Sequence, residues 1–388
     1  MSAPLRQTYS LDEIKHMLIS QLDSVVGRYA PPAQGSYRAH GKYFTLNPGR
    51  ADRHVGSFCV TMAGPNAGRW NDYAVGDVPG QGFGDVIDLI ALSLGCSNAD
   101  ALREARAFLG LQTASAEDVA RHRAAAERSR QFQAEAAQRD KEKRESRARA
   151  ARAIWHSGQA RLRDTPVHHY LRGRGIDLAR LGRQPGVLRY VPHCRYYHED
   201  RETGEVFEGD FPAMVAAVTN RRGMTVACHR TWLAIGPNGW GKAAVPAPKK
   251  VLGDYAGAYI PIWKGKGPRG GKPPALHQAE PGQHVYIAEG IEDALSAVLL
   301  LEGEARVIAA ISLSNLGRIE LPPTVASVTL ISDQDENAAA RAALERAIAL
   351  HRAAGREVRI WSNAWGGKDL NDALRLVAAE TSEEERRA

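Results

Sequence analysis

Two apolar, β-branched runs that stop abruptly in acid constrain this chain more than any other feature. The first is Val285-Tyr-Ile-Ala-Glu289-Gly290-Ile-Glu-Asp293; about 40 residues later comes Val328-Thr-Leu-Ile-Ser-Asp333-Gln-Asp335. Such runs read as strands of a parallel sheet covered on both faces, their carboxyl ends delivering carboxylates to one rim. A third acidic pair follows in Gly367-Lys-Asp369-Leu-Asn-Asp372. Crowded carboxylates repel one another, so the cluster is costly unless a cation sits among them. Hard oxygen ligands of this kind suit Mg²⁺, which takes one or two carboxylates and leaves its other positions to water and phosphate. Mn²⁺ is the expected substitute.

Each acid also has a bland explanation. Glu292 and Asp293 fall in a first helical turn, where acids complement the helix dipole. Asp335 could cap a helix over 336–354, and Asp369 and Asp372 have the spacing of an N-cap and its N3 partner. Capping leaves Glu289 unexplained, because it ends a buried strand just before Gly290.

Four stretches divide the chain. Residues 1–112 begin with a helix over 8–30, opened by an S-x-x-E capping box at Ser10 and Glu13. A small antiparallel sheet over 36–78 and helices over 85–94 and 98–109 complete the segment. Residues 113–163 are a charged helical linker, read as a solvated face. Residues 164–275 form a mixed, basic α+β subdomain with strands at Val187–Val191, Ala213–Thr219, Thr225–Ile235 and Ala258–Trp263. From 276 to 388 strands and helices alternate, predicting a mostly parallel sheet flanked by helices. The fold class is therefore multidomain, α/β and α+β.

With 24% charged and 44% hydrophobic residues the chain is an ordinary globular sequence, and its net charge of +7 permits a polyanionic partner. The cysteines at 59, 96, 194 and 228 form no C-x-x-C pair, which argues against a disulfide scaffold or a paired-cysteine zinc site. The first 30 residues lack a signal-peptide pattern, and no apolar run reaches membrane length. A cytoplasmic location without membrane contact is expected.

The combination E-G-x-x-D at 289–293, D-x-D at 333–335 and K-D-x-x-D at 368–372 resembles the Toprim domain, which bacterial DNA primases, topoisomerases and some nucleases share. Asn337-Ala338 departs from the Ala-Gly that often follows the D-x-D pair there. The resemblance implies a Rossmann-like C-terminal domain in which Glu289, Asp333 and Asp335 are catalytic and hold metal, with Asp293, Asp369 and Asp372 completing the acidic rim. Upstream, Pro248-Lys249-Lys250-Val-Leu-Gly253 and the strand carrying Arg230 resemble the basic segment that primases place before this domain. Lys249, Lys250 and Arg230 are thus candidate nucleotide or nucleic-acid contacts, as are Arg172 and Arg174 beside their glycines. Residues 57–60 and 82–90 resemble the zinc ribbon of primases. Trp70-Asn71-Asp72-Tyr73 and Val75-Gly76-Asp77 stand where a cysteine pair would be, so no zinc is expected, and Trp70 and Tyr73 are read as core, with base stacking the alternative.

The sequence Gly236-Pro-Asn-Gly-Trp-Gly241-Lys242 satisfies G-x4-G-K, but Ala243 lacks the metal-binding hydroxyl and Pro246 and Pro248 forbid the following helix. It reads as a hairpin turn. The resemblance implies Mg²⁺-dependent synthesis of short RNA primers from ribonucleoside triphosphates on single-stranded DNA. A separate replicative helicase would supply unwinding, and a phage, plasmid or integrated element is the implied setting. A Toprim nuclease and a non-synthesising single-strand-binding mobilisation protein are the alternatives.

Overall fold

The computed structural model describes residues 9–76, 80–111, 116–200, 203–267, 271, 273–332, 337–363 and 367–376. Its contacts divide the chain into two units, Met1–Lys143 and Arg144–Ala388, with the boundary inside one long helix.

In the first unit the Ser10 capping box forms as the sequence predicts: Ser10 N–H donates to Glu13 Oε2 at 2.8 Å and Glu13 N–H to Ser10 Oγ at 3.2 Å. The helix over 8–30 is not continuous. It breaks at Gln21 into α1 (Leu11–Ser20) and α2 (Leu22–Tyr29), and the break lets Leu22, Val25, Val26 and Tyr29 reach the core. Five antiparallel strands follow in sequential order: β1 (Tyr37–Ala39), β2 (Lys42–Thr45), β3 (Phe58–Thr61), β4 (Trp70–Asp72) and β5 (Phe83–Gly84). Three helices succeed them, α3 (Val86–Leu94), α4 (Asn98–Phe108) and α5 (Ala116–Ser157). Trp70 is fully buried against Phe58, and its indole N–H donates to the Asp85 carbonyl at 3.1 Å. Tyr73, by contrast, is 60% exposed and accepts from Lys42 Nζ at 2.8 Å, so it is a surface residue and not core.

Where a ribbon would place metal ligands, Asp72 gathers a polar tie. Its carboxylate accepts from Asn47 Nδ2 at 2.8 Å and from the Ala74 N–H at 2.9 Å, and Arg50 lies 3.0 Å away. Asp77 lies outside the described residues. Buried donors left without acceptors cost about 1–3 kcal/mol each, so Asp72→Ala should destabilise this unit by at least that amount in denaturant melts. Chelator treatment of the wild-type protein should leave its fold intact, and elemental analysis should find no stoichiometric zinc; one tightly held zinc per chain would contradict this assignment.

The second unit starts with α6 (Pro166–Gly173), which Thr165 caps and Pro166 opens. An antiparallel sheet follows, formed by β6 (Leu188–Glu199), β7 (Val206–Thr219), β8 (Thr225–Gly236), β9 (Gly239–Lys242) and β10 (Lys249–Gly253), in the order β10-β8-β7-β6 with β9 also on β8. The G-x4-G-K stretch is indeed the β8–β9 hairpin, with Gly236 opposite Gly239. Gly253 closes the basic strand at φ +107°, where a Cβ would stand 2.5 Å from the Val226 carbonyl. Only glycine fits that close approach.

The two faces of this sheet do different things, because side chains alternate along a strand. Ala227 and Leu233 pack with Val167, Tyr170 and Ile291, whereas Cys228 and Trp232 pack with Val191 and Tyr196. The sheet thus has one face toward the C-terminal α/β layer and one away from it.

That layer has the order β11-β13-β12-β14-β15, made of β11 (Ile260–Lys264), β12 (Gln283–Ala288), β13 (Arg306–Ala309), β14 (Val325–Ser332) and β15 (Glu357–Ser362). The last four are parallel, and β11, from upstream of residue 276, adds an antiparallel edge. Three helices connect them: α7 (Ile291–Leu300), the short α8 (Leu313–Leu316) and α9 (Ala338–Ala353). β12 lies between its successor β13 and the later β14, so the connections leave β12 and β14 in opposite directions and open a crevice between their carboxyl ends. The multidomain α/β and α+β architecture expected from the sequence is the one observed.

Candidate active site

Glu289 is the first residue beyond β12, and Gly290 then caps α7. The register pairs Ile287 with Leu330, so two residues further on Glu289 stands level with Ser332, the last residue of β14. Both line one small cavity with Ile331, Leu316, Arg341 and Leu344. Asp333 and Asp335 follow Ser332 directly and lie outside the described residues.

The remaining acids are tied to backbone donors. Asp293 Oδ1 accepts from the Asn371 N–H at 3.2 Å. Asp369 Oδ1 accepts from the Asp372 N–H at 2.8 Å and Asp372 Oδ2 from the Lys368 N–H at 3.1 Å. Asp369 therefore makes a capping bond, the bland alternative for that pair, while its second oxygen lies 4.0 Å from the Arg174 guanidinium. Asn371 is fully buried and also donates to the Arg174 carbonyl at 2.9 Å and to Ser296 Oγ at 3.0 Å. It fastens the 367–372 loop to α6 and α7, a role that the sequence reading missed.

Among the described residues no three His, Cys, Asp or Glu side chains gather to hold a metal ion. Of the residues that line the cavity, Glu289 and Ser332 offer the hard oxygen donors that Mg²⁺ takes, beside the Arg341 guanidinium and the apolar Leu313, Leu316, Ile331 and Leu344.

The basic candidates separate. Lys249 pairs with Thr231 across the sheet, on the face toward the α/β layer; Lys250 pairs with Arg230 on the opposite face. Lys250 Nζ donates to the Tyr197 carbonyl at 2.6 Å and lies 4.4 Å from the Tyr196 ring centroid, and Arg230 stacks at 4.8 Å over Trp232. Burial, then the neighbouring Arg230, pulls the Lys250 ammonium below the ordinary lysine range. Strand alternation separates the three candidates: Lys249 is on the sheet face toward the α/β layer, and Lys250 and Arg230 are on the other. Arg172 is exposed in the last turn of α6, and Arg174 follows that helix near Asp369.

Three more residues belong to this place. Glu292 is 6% exposed; the Tyr170 hydroxyl donates to its Oε1 at 2.6 Å, and Lys242 Nζ lies 3.2 Å from the same oxygen. Burial alone would raise this carboxyl, but Lys242, Tyr170 and Lys249 outweigh it and hold it at about 2. Burial and Glu292 together push the Tyr170 hydroxyl far above its usual value. A signal for Glu292 was available: α7 buries nearly every residue from Ile291 to Leu299, so an acid in it had to be buried and paired.

His229 is buried on the same sheet face as Lys249, and burial pushes it down to about 4, with Lys249, Arg230 and Lys242 acting in the same direction and Glu292 against. A histidine below its ordinary 6.5 stays neutral in the folded state while the unfolded chain takes up the proton. Its stabilisation is complete above pH 6.5 and is lost as pH falls toward 4. The difference amounts to roughly 3 kcal/mol. His284 and His351, also lowered by burial, add the same sign. Urea melts should therefore weaken between pH 7 and 4.5, and His229→Gln should remove the larger part of that slope; an unchanged slope would show that His229 does not titrate as described.

No curated protein sequence matches this chain significantly. Among solved structures, a DNA primase domain from Pseudomonas aeruginosa is 18% identical, covering 59% of this chain and 74% of that one at a TM-score of 0.37. The DnaG primase catalytic domain bound to ssDNA is 14% identical, covering 63% and 80% at a TM-score of 0.41. The primase fragment of the bacteriophage T7 primase-helicase protein is 18% identical, covering 57% and 74% at 0.33. Residues 145–262 match a domain of unknown function, DUF7146. Residues 284–380 match the Toprim domain, so the segment that carries Glu289 and the parallel sheet is a Toprim domain.

Proposed function

We propose that the chain is a Mg²⁺-dependent, primase-like nucleotidyltransferase that makes short RNA primers on single-stranded DNA. The observation that carries this reading is the position of Glu289 at the crevice between β12 and β14, with cationic side chains of the preceding subdomain close to the same rim. In this reading Glu289, Asp333 and Asp335 hold the ion, and Asp293, Asp369 and Asp372 shape the rim. The ion's contribution, when bound, is to neutralise triphosphate charge and favour the ionised 3′-hydroxyl. Arg174 orients the phosphates, and Lys249 and Arg172 contact the template backbone. The basic segment before the Toprim domain resembles that of primases and favours synthesis over cleavage. A separate helicase would unwind the duplex.

The test is the wild-type protein with Mg²⁺ and single-stranded DNA, with and without labelled ribonucleotides. Short RNA products with nucleotides, and intact DNA without them, are expected; degradation of the DNA with no RNA formed would favour a nuclease. Asp333→Ala should abolish either activity. For the template, Lys249→Ala should weaken binding and reduce the salt slope by about 0.7, the value of one phosphate contact on a single strand. Lys250→Ala should leave that slope unchanged. Equal effects of the two substitutions would overturn the assignment by sheet face.

A further inference from the structure

The acid at 292 has a different place from its neighbours Glu289 and Asp293. It is the meeting point of three segments: α6 through Tyr170, the β8–β9 hairpin through Lys242, and the first turn of α7 through its own side chain. The Tyr170 hydroxyl bond and the Lys242 ion pair converge on one oxygen, and the side chain is almost wholly buried. That leaves little room for a cation in its shell. Lys242 is different. Its side chain keeps 34% of its surface open, and among the described residues Glu292 is the one acid it pairs with. An ammonium group carries three donors, and the exposed part of this one can turn them toward an incoming anion.

We infer that Glu292 is a positioning residue, not a metal ligand, and that with Tyr170 it fixes Lys242 at the acidic rim as a cation for the phosphates of a metal-bound nucleoside triphosphate. Local charge supports this. Lys242 and Lys249 both lie close enough to Glu292 to lower its carboxyl, so a single buried acid faces two lysines here. A long, flexible lysine loses much rotamer freedom when it binds phosphate, and a buried carboxylate that holds its stem removes part of that loss in advance. The inference rests on the nucleotidyltransferase reading.

The test measures equilibrium binding of a fluorescent ribonucleoside triphosphate with Mg²⁺, and of Mn²⁺ alone by its paramagnetic signal, for the full chain and four variants, with thermal melting as a check on fold. Lys242→Met keeps the stem and removes the charge. It should weaken nucleotide binding roughly tenfold or more, the worth of a charge-assisted hydrogen bond, and Lys242→Arg should restore most of it. Glu292→Gln should raise KM for the nucleotide with little change in kcat and should leave Mn²⁺ binding intact, whereas Glu289→Gln should lose the metal. Loss of Mn²⁺ in Glu292→Gln would make Glu292 a ligand and overturn the inference. Wild-type nucleotide affinity in Lys242→Met, with Glu289→Gln defective, would also overturn it and leave the enzymatic reading standing. A wild-type protein that binds Mn²⁺ but no nucleotide would overturn both.

Discussion

The placement of β12 between β13 and β14 is the constraint on which the rest of the second unit depends. A strand hydrogen-bonded on both sides and covered on both faces has one place for a polar group, its end. Val285, Ile287 and Ala288 are buried, and Glu289 is the first residue that can leave the sheet. The chain leaves β12 toward β13 and leaves β14 toward β15, and the cavity at their carboxyl ends is walled by Leu313 and Leu316 of α8 and by Arg341 and Leu344 of α9. Topology thus delivers the acid to the carboxyl end of the sheet. Everything basic in the unit has its meaning relative to that rim.

The tie between the antiparallel subdomain and the Toprim domain is ionic at its centre and apolar around it. Tyr170, Val167 and Leu233 share a core with Ile291, Leu295 and Val298, which supplies most of the cohesion through buried area. The ion pair of Glu292 and Lys242 adds direction to this contact and little net stability, since desolvation offsets much of the attraction between buried charges. Apolar packing alone would tolerate small slips of α6 over α7. A carboxylate oxygen shared by a hydroxyl and an ammonium does not, because a slip of an ångström breaks both bonds. Asn371 adds a second fixed point through Arg174, Ser296 and Asp293.

What the sequence made legible followed from strong local patterns. The β-branched run before Glu289, the capping box at Ser10 and the glycine-rich turn at 236–239 each specify their conformation within a few residues. What it hid was set by distant partners. Nothing local to Lys242 indicates Glu292, 50 residues away, and rejecting the G-x4-G-K stretch as a nucleotide loop also set aside a lysine that pairs with a buried acid. The exposure of Tyr73 depends on Lys42 across the sheet, and the break at Gln21 on which side chains the core of that unit admits. The antiparallel edge strand β11 is invisible locally for the same reason: its partner β13 is more than 40 residues downstream.

The adjacent lysines 249 and 250 show how far a simple periodicity carries. Neighbours on a strand point to opposite faces, so two basic residues in sequence cannot serve one phosphate from within a sheet. On that face Lys250 donates to the Tyr197 carbonyl and lies over the Tyr196 ring, and Arg230 stacks over Trp232. Lys249 faces Thr231 and the buried histidine, close enough to Glu292 to lower its carboxyl. One dipeptide thus contributes to two separate positive regions, one at the acidic rim and one on the far side of the sheet. The net charge of the chain is in this way sorted by strand geometry before any ligand arrives.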